Sequence, residues 1–535
     1  MVKRKEKLSI YLVRKKYSED SEIIKTDNTI NPTPIEIEGA EQATLYIKNP
    51  ASNTPPWTRL FTSSNFVDDN VFGFSSSVGA VFIVRALGHI FIFSFGTGFH
   101  LIRSHAIERD FGLRVTLNSV NPDKLRSLDK ASFDHNPLNS RTQSTLDVDI
   151  FNLHLDSETE MLYAITGASQ VPEFGSHITG RDSLTIAVET NLNSLSSILK
   201  KAIDKYAENL PEKFSWVENI NRVRDSDEIE LLDMELDDYL ARDDISNFWL
   251  GEPEIVDWES QVGYSFNTYQ NTPRHVVLSL DDYKAHLKSK LITVDSLKND
   301  SVHVNDNEYK SVKSWPVYRC LYAEITSGSD QYILRNGLWY KVNNDFVTRV
   351  NQSLADLVPY HYTFPTYNHD REEDYNDFVA KSHSSFCLMD KKNIQIGGPY
   401  DKLEHCDLIK NGSDFIHVKY YRSSSTLSHL FAQGSVAAES FIKDSWYRQK
   451  LNPKLPASIK LSDPDIRPKP ENYKVIYAIA TNKNIPDELP FFSKVTLKNA
   501  LKTLRALDYK VELAKIDVDP VLFNTKKYKP KKGKS

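Results

Sequence analysis

The chain has 535 residues, a formal net charge of −6, 40% apolar residues and 11% aromatic residues. Its length suggests about two to four domains with sizeable packed cores, and its charge balance excludes a globally basic nucleic-acid binder, so such binding needs a local patch. The three cysteines, Cys320, Cys387 and Cys406, are too far apart for a zinc ribbon and odd in number, which excludes a disulfide scaffold and predicts a reduced, cytoplasmic protein.

The N-terminal Met1-Val2-Lys3-Arg4-Lys5 runs into a strand-like segment and lacks the apolar core and small-residue cleavage site of a signal peptide. Strands are predicted at 8–13 and 43–47. A hairpin is predicted from 78–84 and 90–95 around Leu87-Gly88-His89. Arg85, Gly88 and His89 interrupt the apolar run 78–95, so no membrane span is expected there. The Gly96-Thr97-Gly98 turn that follows reads as structural before it reads as a phosphate loop.

Leu184–Val188 reads as a strand and 193–206 as a helix, with Asn193 as N-cap and Leu195, Ile198, Leu199 and Ile203 on one face. Residues 225–259 hold fourteen carboxylates. That stretch reads as a solvated helix face followed by a linker; the alternative is a phosphate mimic that occludes a basic groove. A boundary is placed near residue 260, after an α+β sensing or docking region over 1–260. A β-rich middle region, 261–350, contains the predicted strands 317–325, 331–334 and Leu338–Val342, with Arg335-Asn336-Gly337 as a tight turn. A helix is expected at 345–357.

The region 351–525 reads as helix 372–380, strands 386–390 and 393–396, hairpin 404–420, helix 426–442, strand Lys474–Ala480, helix 497–507 and strand Lys510–Ile516. This succession of helices and strands predicts a mixed α/β sheet domain. The tail 526–535 carries six lysines and reads as a basic disordered segment that adds nonspecific attraction to nucleic acid.

The most informative stretch is Glu404-His405-Cys406-Asp407-Leu408-Ile409, an Asn411-Gly412 turn, and Phe415-Ile416-His417-Val418-Lys419. Acidic groups on one strand and a lysine near the end of the next resemble the core of the PD-(D/E)XK nuclease superfamily. That resemblance implies a restriction-endonuclease-like C-terminal domain in which carboxylates hold Mg²⁺ or Mn²⁺ and a lysine faces the scissile phosphodiester. Asp407, Lys419, His417 and Gln433 are its catalytic candidates. Asp407, Glu404, Glu373 and Glu439 are its metal candidates, and Asp390 is a further carboxylate within reach. Hard dications take such oxygen ligands.

His417 departs from the pattern, because it stands where the superfamily carries an acidic residue. Imidazole suits Mn²⁺ or Zn²⁺ better than Mg²⁺, and Glu439 on the following helix is the replacement the resemblance suggests. His417-x-Lys419 also resembles the His-x-Lys of phospholipase D-type nucleases, but Ser424 occupies the place of that motif's aspartate. Hairpin register decides which carboxylate opposes which strand residue. A three-residue loop sets Asp407 opposite His417, whereas a two- or four-residue loop sets Glu404 opposite Lys419, and strand alternation keeps Glu404 and Asp407 from sharing a site without a bulge. Arg422, Ser424, Ser425 and His429, at the opening of the next helix, are the candidate phosphate contacts.

The runs HCDLI, IHVK and SSTLSHLFAQGSVAAES, with EDYN upstream and DELPFFSKVTLKNAL downstream, resemble a sporadically distributed bacterial family of long proteins found near restriction-modification and other defence genes. PPWTRLF, FSFGTGFHLI, DFGLRVTLN and WLGEPEIVDW extend this resemblance through the N-terminal half. It implies an antiviral defence role and supplies no activity. Three readings stand: a metal-dependent nuclease acting on nucleic acid, with DNA the expected substrate; an inactive nucleic-acid-binding or sensor protein; and a structural subunit. A homo-oligomer or a defence-system protein is the expected protein partner, and no membrane is expected.

Overall fold

The computed structural model describes residues 5–524 apart from 31, 50, 64–66, 69–70, 133–138, 154, 244, 255, 257–261, 270, 289–290, 307, 396–402 and 422–423. The fold is mixed α/β. The chain divides into two compact units, residues 1–131 with 139–217, and residues 132–138 with 218–535.

In the first unit the alternating strands Glu6–Leu12, Gln42–Ile47, Gly79–Ala86, His89–Gly96 and Leu184–Val188 join a ten-stranded sheet. The run 78–95 is therefore the expected hairpin, with Ala86 opposite His89 at its turn. Helices Phe111–Leu117 and Leu195–Ala207 cover one sheet face, burying Phe111, Val115, Leu195, Ile198 and Leu199. The second helix follows a short 3₁₀ turn, Leu192–Ser194, and Asn191 rather than Asn193 supplies the cap, accepting from Ser194 N at 3.1 Å. The other face carries a smaller cluster that includes Ile23, Ile24, Ile83, Ile92 and Leu101. Gly98 explains the glycine-rich turn: a Cβ there would lie 2.0 Å from the Ala80 carbonyl oxygen, so the turn is a close backbone approach.

The second unit begins near residue 218 rather than 260. Strand Phe248–Leu250 pairs with Leu321–Ser327, and helix Ser226–Ala241 packs Leu232, Leu236 and Leu240 into the same core. The acidic stretch is thus part of a domain rather than a linker. Its Asp233 is buried and accepts from Tyr318 Oη (2.6 Å), Trp339 Nε1 (2.9 Å) and Lys298 Nζ (2.6 Å). The expected meander forms, with Asn336 and Gly337 at positive φ in its two-residue turn. Val317–Cys320 is a helical turn instead of strand, and the strand starts at Leu321.

The C-terminal part contains α1 (Glu372–Ser382), β1 (Phe386–Leu388), β2 (Leu408–Lys410), β3 (Asp414–Tyr420), α2 (Ser424–Lys443), β4 (Lys474–Ala480), α3 (Phe491–Ala506) and β5 (Lys510–Ile516). The strands lie side by side in chain order. The pairs β1–β2 and β2–β3 are antiparallel, and the pairs β3–β4 and β4–β5 are parallel. β4, Lys-Val-Ile-Tyr-Ala-Ile-Ala, is buried on both faces, as a central parallel strand requires. One face packs Tyr477 and Ile479 against Leu427, Leu430 and Phe431 of α2 and Leu497 and Leu501 of α3. The other packs Ile476 and Ala478 with Tyr375 and Val379 of α1. Each Leu, Ile, Val or Phe among them contributes roughly 1.5–3 kcal/mol by leaving water. The strand expected at 393–396 is reduced to one bridge between Ile394 and Leu403, and Ile396 lies outside the described residues.

Candidate metal centre

The hairpin turn is the three-residue form. Lys410 pairs with Asp414, leaving Asn411, Gly412 and Ser413 to close it, with Asn411 and Gly412 at positive φ. This register continues to Asp407 opposite His417: Asp407 N donates to Ile416 O at 3.0 Å, and Val418 N donates to Asp407 Oδ2 at 2.7 Å. Residues 404–407 precede β2 and have no strand conformation. Strand alternation therefore does not separate Glu404 from Asp407, and both reach one site without a bulge.

Asp390, Glu404 and Asp407 converge there, each partly buried, each offering an oxygen within 4.8 Å of the other two. Asp390 follows β1 and Glu404 and Asp407 precede β2, so two chain segments meet at one end of the sheet. Burial pushes the Asp407 carboxyl up to about 8; Val418 N–H opposes this, and Asp390 and Glu404 add to it. Asp407 keeps part of its surface exposed, which bounds the burial contribution, while the flanking carboxylates act in the same direction. Neighbouring groups orient the set. Asn376 Nδ2 of α1 donates to Asp390 Oδ2 at 3.1 Å, and Gln433 Nε2 of α2 donates to Glu404 Oε2 at 3.2 Å. Asn376 is 1% exposed, and its Oδ1 has no hydrogen-bond partner.

Gly434 permits the approach of α2. A Cβ at that position would sit 2.6 Å from the Tyr477 ring, and Tyr477 Oη donates to Phe431 O at 3.0 Å. Lys419, near the end of β3, forms an ion pair with Glu372 Oε2 at 2.7 Å. Glu372 Oε1 also accepts from Tyr420 N at 3.3 Å.

Two of the four expected metal ligands, Glu404 and Asp407, are in the cluster. Glu373 is not: it forms ion pairs with Arg371 and Lys391, while its neighbour Glu372 turns toward Lys419. Glu439 is not either; it pairs with Lys443 one turn along α2 at 2.6 Å. Gln433 touches the cluster as expected of a residue on that helix. His417 is 1% exposed, its Nδ1 has no partner, and burial pushes its pKa down to about 4. It is a neutral core histidine, 6.0 Å from the Tyr477 ring, and no member of the cluster. His429 is exposed on α2. Arg422 lies outside the described residues, as do the side chains of Ser424 and Ser425.

Glu372 and Asn376 were missed by reading the chain linearly. Their four-residue spacing on one helix was the available signal, since it sets both on the same face.

The cluster fits a hard dication. It combines three carboxylate donors, mutual repulsion that a cation offsets, and an adjacent buried amide oxygen without a partner. Among the described residues, no helix is long and apolar enough to cross a membrane.

The profile of a family of unknown function, DUF6119, matches residues 8–517, and the chain belongs to that family. No curated protein and no solved structure matches it.

Proposed function

We propose that this protein hydrolyses phosphodiester bonds in nucleic acid, with Mg²⁺ or Mn²⁺ held by Asp390, Glu404 and Asp407. The convergence of these three carboxylates beside Lys419 carries the reading. The order α1-β1-β2-β3-α2-β4 around a mixed sheet supports it by setting the carboxylates and Lys419 at the end of adjacent strands. So does the answer to the His417 substitution. The acidic function absent at His417 is available from Asp390 and Glu404, so the chemistry does not require Glu439.

A bound dication would stabilise charge developing on the phosphate and lower the pKa of water. The residues of this chain would do the rest. Asn376 and Gln433 hold Asp390 and Glu404 by single hydrogen bonds. Lys419 presents a compact cation with three donors, and Glu372 keeps it extended along the end of β3. The defence setting of the resembled proteins makes foreign DNA the substrate we favour.

A second reading, a sensor that binds nucleic acid without cutting it, is favoured by one observation: Lys419 is already neutralised by Glu372. The discriminating experiment incubates the protein with plasmid DNA and single-stranded RNA in Mg²⁺ or Mn²⁺, beside Lys419→Ala and Asp407→Asn. Metal-dependent cleavage lost in both variants is the expected result. Binding without cleavage in the wild type would transfer the reading to the sensor.

A further inference from the structure

The N-terminal unit carries a strip of cations on the loops that cover its smaller apolar cluster. Backbone hydrogen bonds hold these loops together: Arg14 N donates to Ala106 O at 2.8 Å, Lys25 N to Leu101 O at 2.8 Å, and Arg103 N to Ile23 O at 2.9 Å. Lys15, Lys16 and Lys25 are exposed, and Lys48 and Arg103 are partly so. Among the described residues none of these five forms an ion pair.

Several other cations of the unit are matched. Arg109 pairs with Asp182 at 3.2 Å, Lys130 with Glu160 at 2.8 Å and Lys213 with Asp123 at 2.6 Å. Of the four carboxylates in the loop 14–28, Glu19 and Asp27 are exposed, and Asp20 and Glu22 are engaged. Asp20 takes Arg85 at 2.7 Å and the Tyr46 hydroxyl, and Glu22 accepts from Ser18 N at 3.4 Å and Glu19 N at 3.2 Å.

Three histidines lie close enough to feel these cations. His105 is lowered by burial and then by Arg103, Arg14 and Lys16; His100 by burial, Lys48 and Lys25; His89 by burial and Lys15. Aromatic rings interleave with the charges. Lys16 Nζ lies 5.0 Å from the Tyr17 ring centroid, His105 is 5.4 Å from the same ring, and half-exposed Phe99 lies 3.9 Å from His100.

We propose that this strip binds the phosphate backbone of nucleic acid through Lys16, Lys25, Lys48 and Arg103, with Tyr17 and Phe99 offering faces to unstacked bases. Rows of cations interleaved with rings suit a polyanion that also carries π-faces. A lipid surface would ask for a contiguous apolar face beside the charges. The inference rests on the nucleic-acid half of the reading above and is independent of cleavage.

The test uses the full chain in EDTA with short labelled single-stranded DNA, single-stranded RNA and duplex DNA, followed by fluorescence anisotropy over a salt series. The variants are the triple reversal Lys16→Glu, Lys25→Glu and Lys48→Glu, and Lys200→Glu as a charge change elsewhere in the unit. The wild type and Lys200→Glu should bind at least one probe equally. The triple variant should bind roughly tenfold or more weakly, with a log–log salt slope smaller by about two to three and an unchanged melting temperature. Wild-type affinity and slope in the triple variant, or no binding by the wild type, would overturn the proposal. So would loss of binding to phosphatidylserine vesicles alone. Cleavage assayed in parallel is read separately: strip-dependent binding without wild-type cleavage supports the strip and removes the nuclease reading.

Discussion

Glu372 and Lys419 form an ion pair of 2.7 Å between the first turn of α1 and the end of β3, and the same carboxylate receives Tyr420 N–H at 3.3 Å. One acidic group thus fixes both the backbone and the side chain at the strand end that lies beside the Asp390–Glu404–Asp407 cluster. Both partners are about three-quarters buried, so the pair positions the lysine more than it stabilises the fold.

If the site cleaves phosphodiesters, Lys419→Ala should lower the single-turnover rate by roughly 10²–10³-fold, the loss typical of a removed charge stabiliser. Glu372→Gln should cost about tenfold through misplacement of the lysine. Both variants should keep the wild-type circular dichroism spectrum. Equal rates for Lys419→Ala and wild type would remove the lysine from the chemistry.

Metal binding should register in stability. At a free Mn²⁺ concentration of a hundred times Kd, the wild type should gain about 2.7 kcal/mol, seen as a rise in melting temperature. Asp407→Asn, Asp390→Asn and Glu404→Gln should each abolish most of that gain. In EDTA, Asp407→Asn should melt no lower than the wild type, because it removes a carboxyl crowded by two others. A metal-induced rise that survives in all three variants would place the cation elsewhere.

Stability should depend on pH through Glu324, which is 8% exposed on strand Leu321–Ser327. Burial raises its pKa from 4.5 to about 7, opposed by N–H groups of Phe492 and Phe491 at the start of α3, and its Oε1 has no partner. The folded state binds the proton more tightly than the unfolded one. Its contribution is therefore fully present below pH 4.5, declines as pH rises toward 7 and is absent above, a loss of at most about 3 kcal/mol. Glu324→Gln should flatten that part of the profile in urea denaturation at a series of pH values. An unchanged profile would show that Glu324 does not titrate in this range.

Asp233 should be a structural hub. Asp233→Ala leaves the Tyr318 hydroxyl and the Trp339 indole N–H without their acceptor, and should cost roughly 3–5 kcal/mol. Deleting 225–259 should unfold the middle sheet rather than relieve inhibition, since it removes this hub and strand Phe248–Leu250. Raised nucleic-acid affinity in a folded deletion variant, measured by anisotropy, would revive the phosphate-mimic reading.

Much of the C-terminal part is legible in the chain because β4 is a nearly continuous apolar run and α2 carries Leu427, Leu430 and Phe431 at helical spacing. Lys474–Ala480 and Lys510–Ile516 fall where the runs place them. The misreadings share a cause. Val-Tyr-Arg-Cys at 317–320 is apolar enough for a strand, yet it forms a helical turn after Pro316 that buries Val317 and Cys320. The start of α3 at Phe491 was hidden because Pro490 leads it with no polar side-chain cap.

By itself, the sequence determined the hairpin, the helix after it and the two long strands Lys474–Ala480 and Lys510–Ile516, because periodicity and turn residues act over a few neighbours. Tertiary structure alone decided which carboxylates meet. Glu372 and Glu373 differ by one position on a helix, about 100° of rotation, and only packing against β3 selects Glu372 for Lys419. Asp390 and Glu404 are brought to Asp407 by segments outside regular strands, where no sequence period says which way a side chain points.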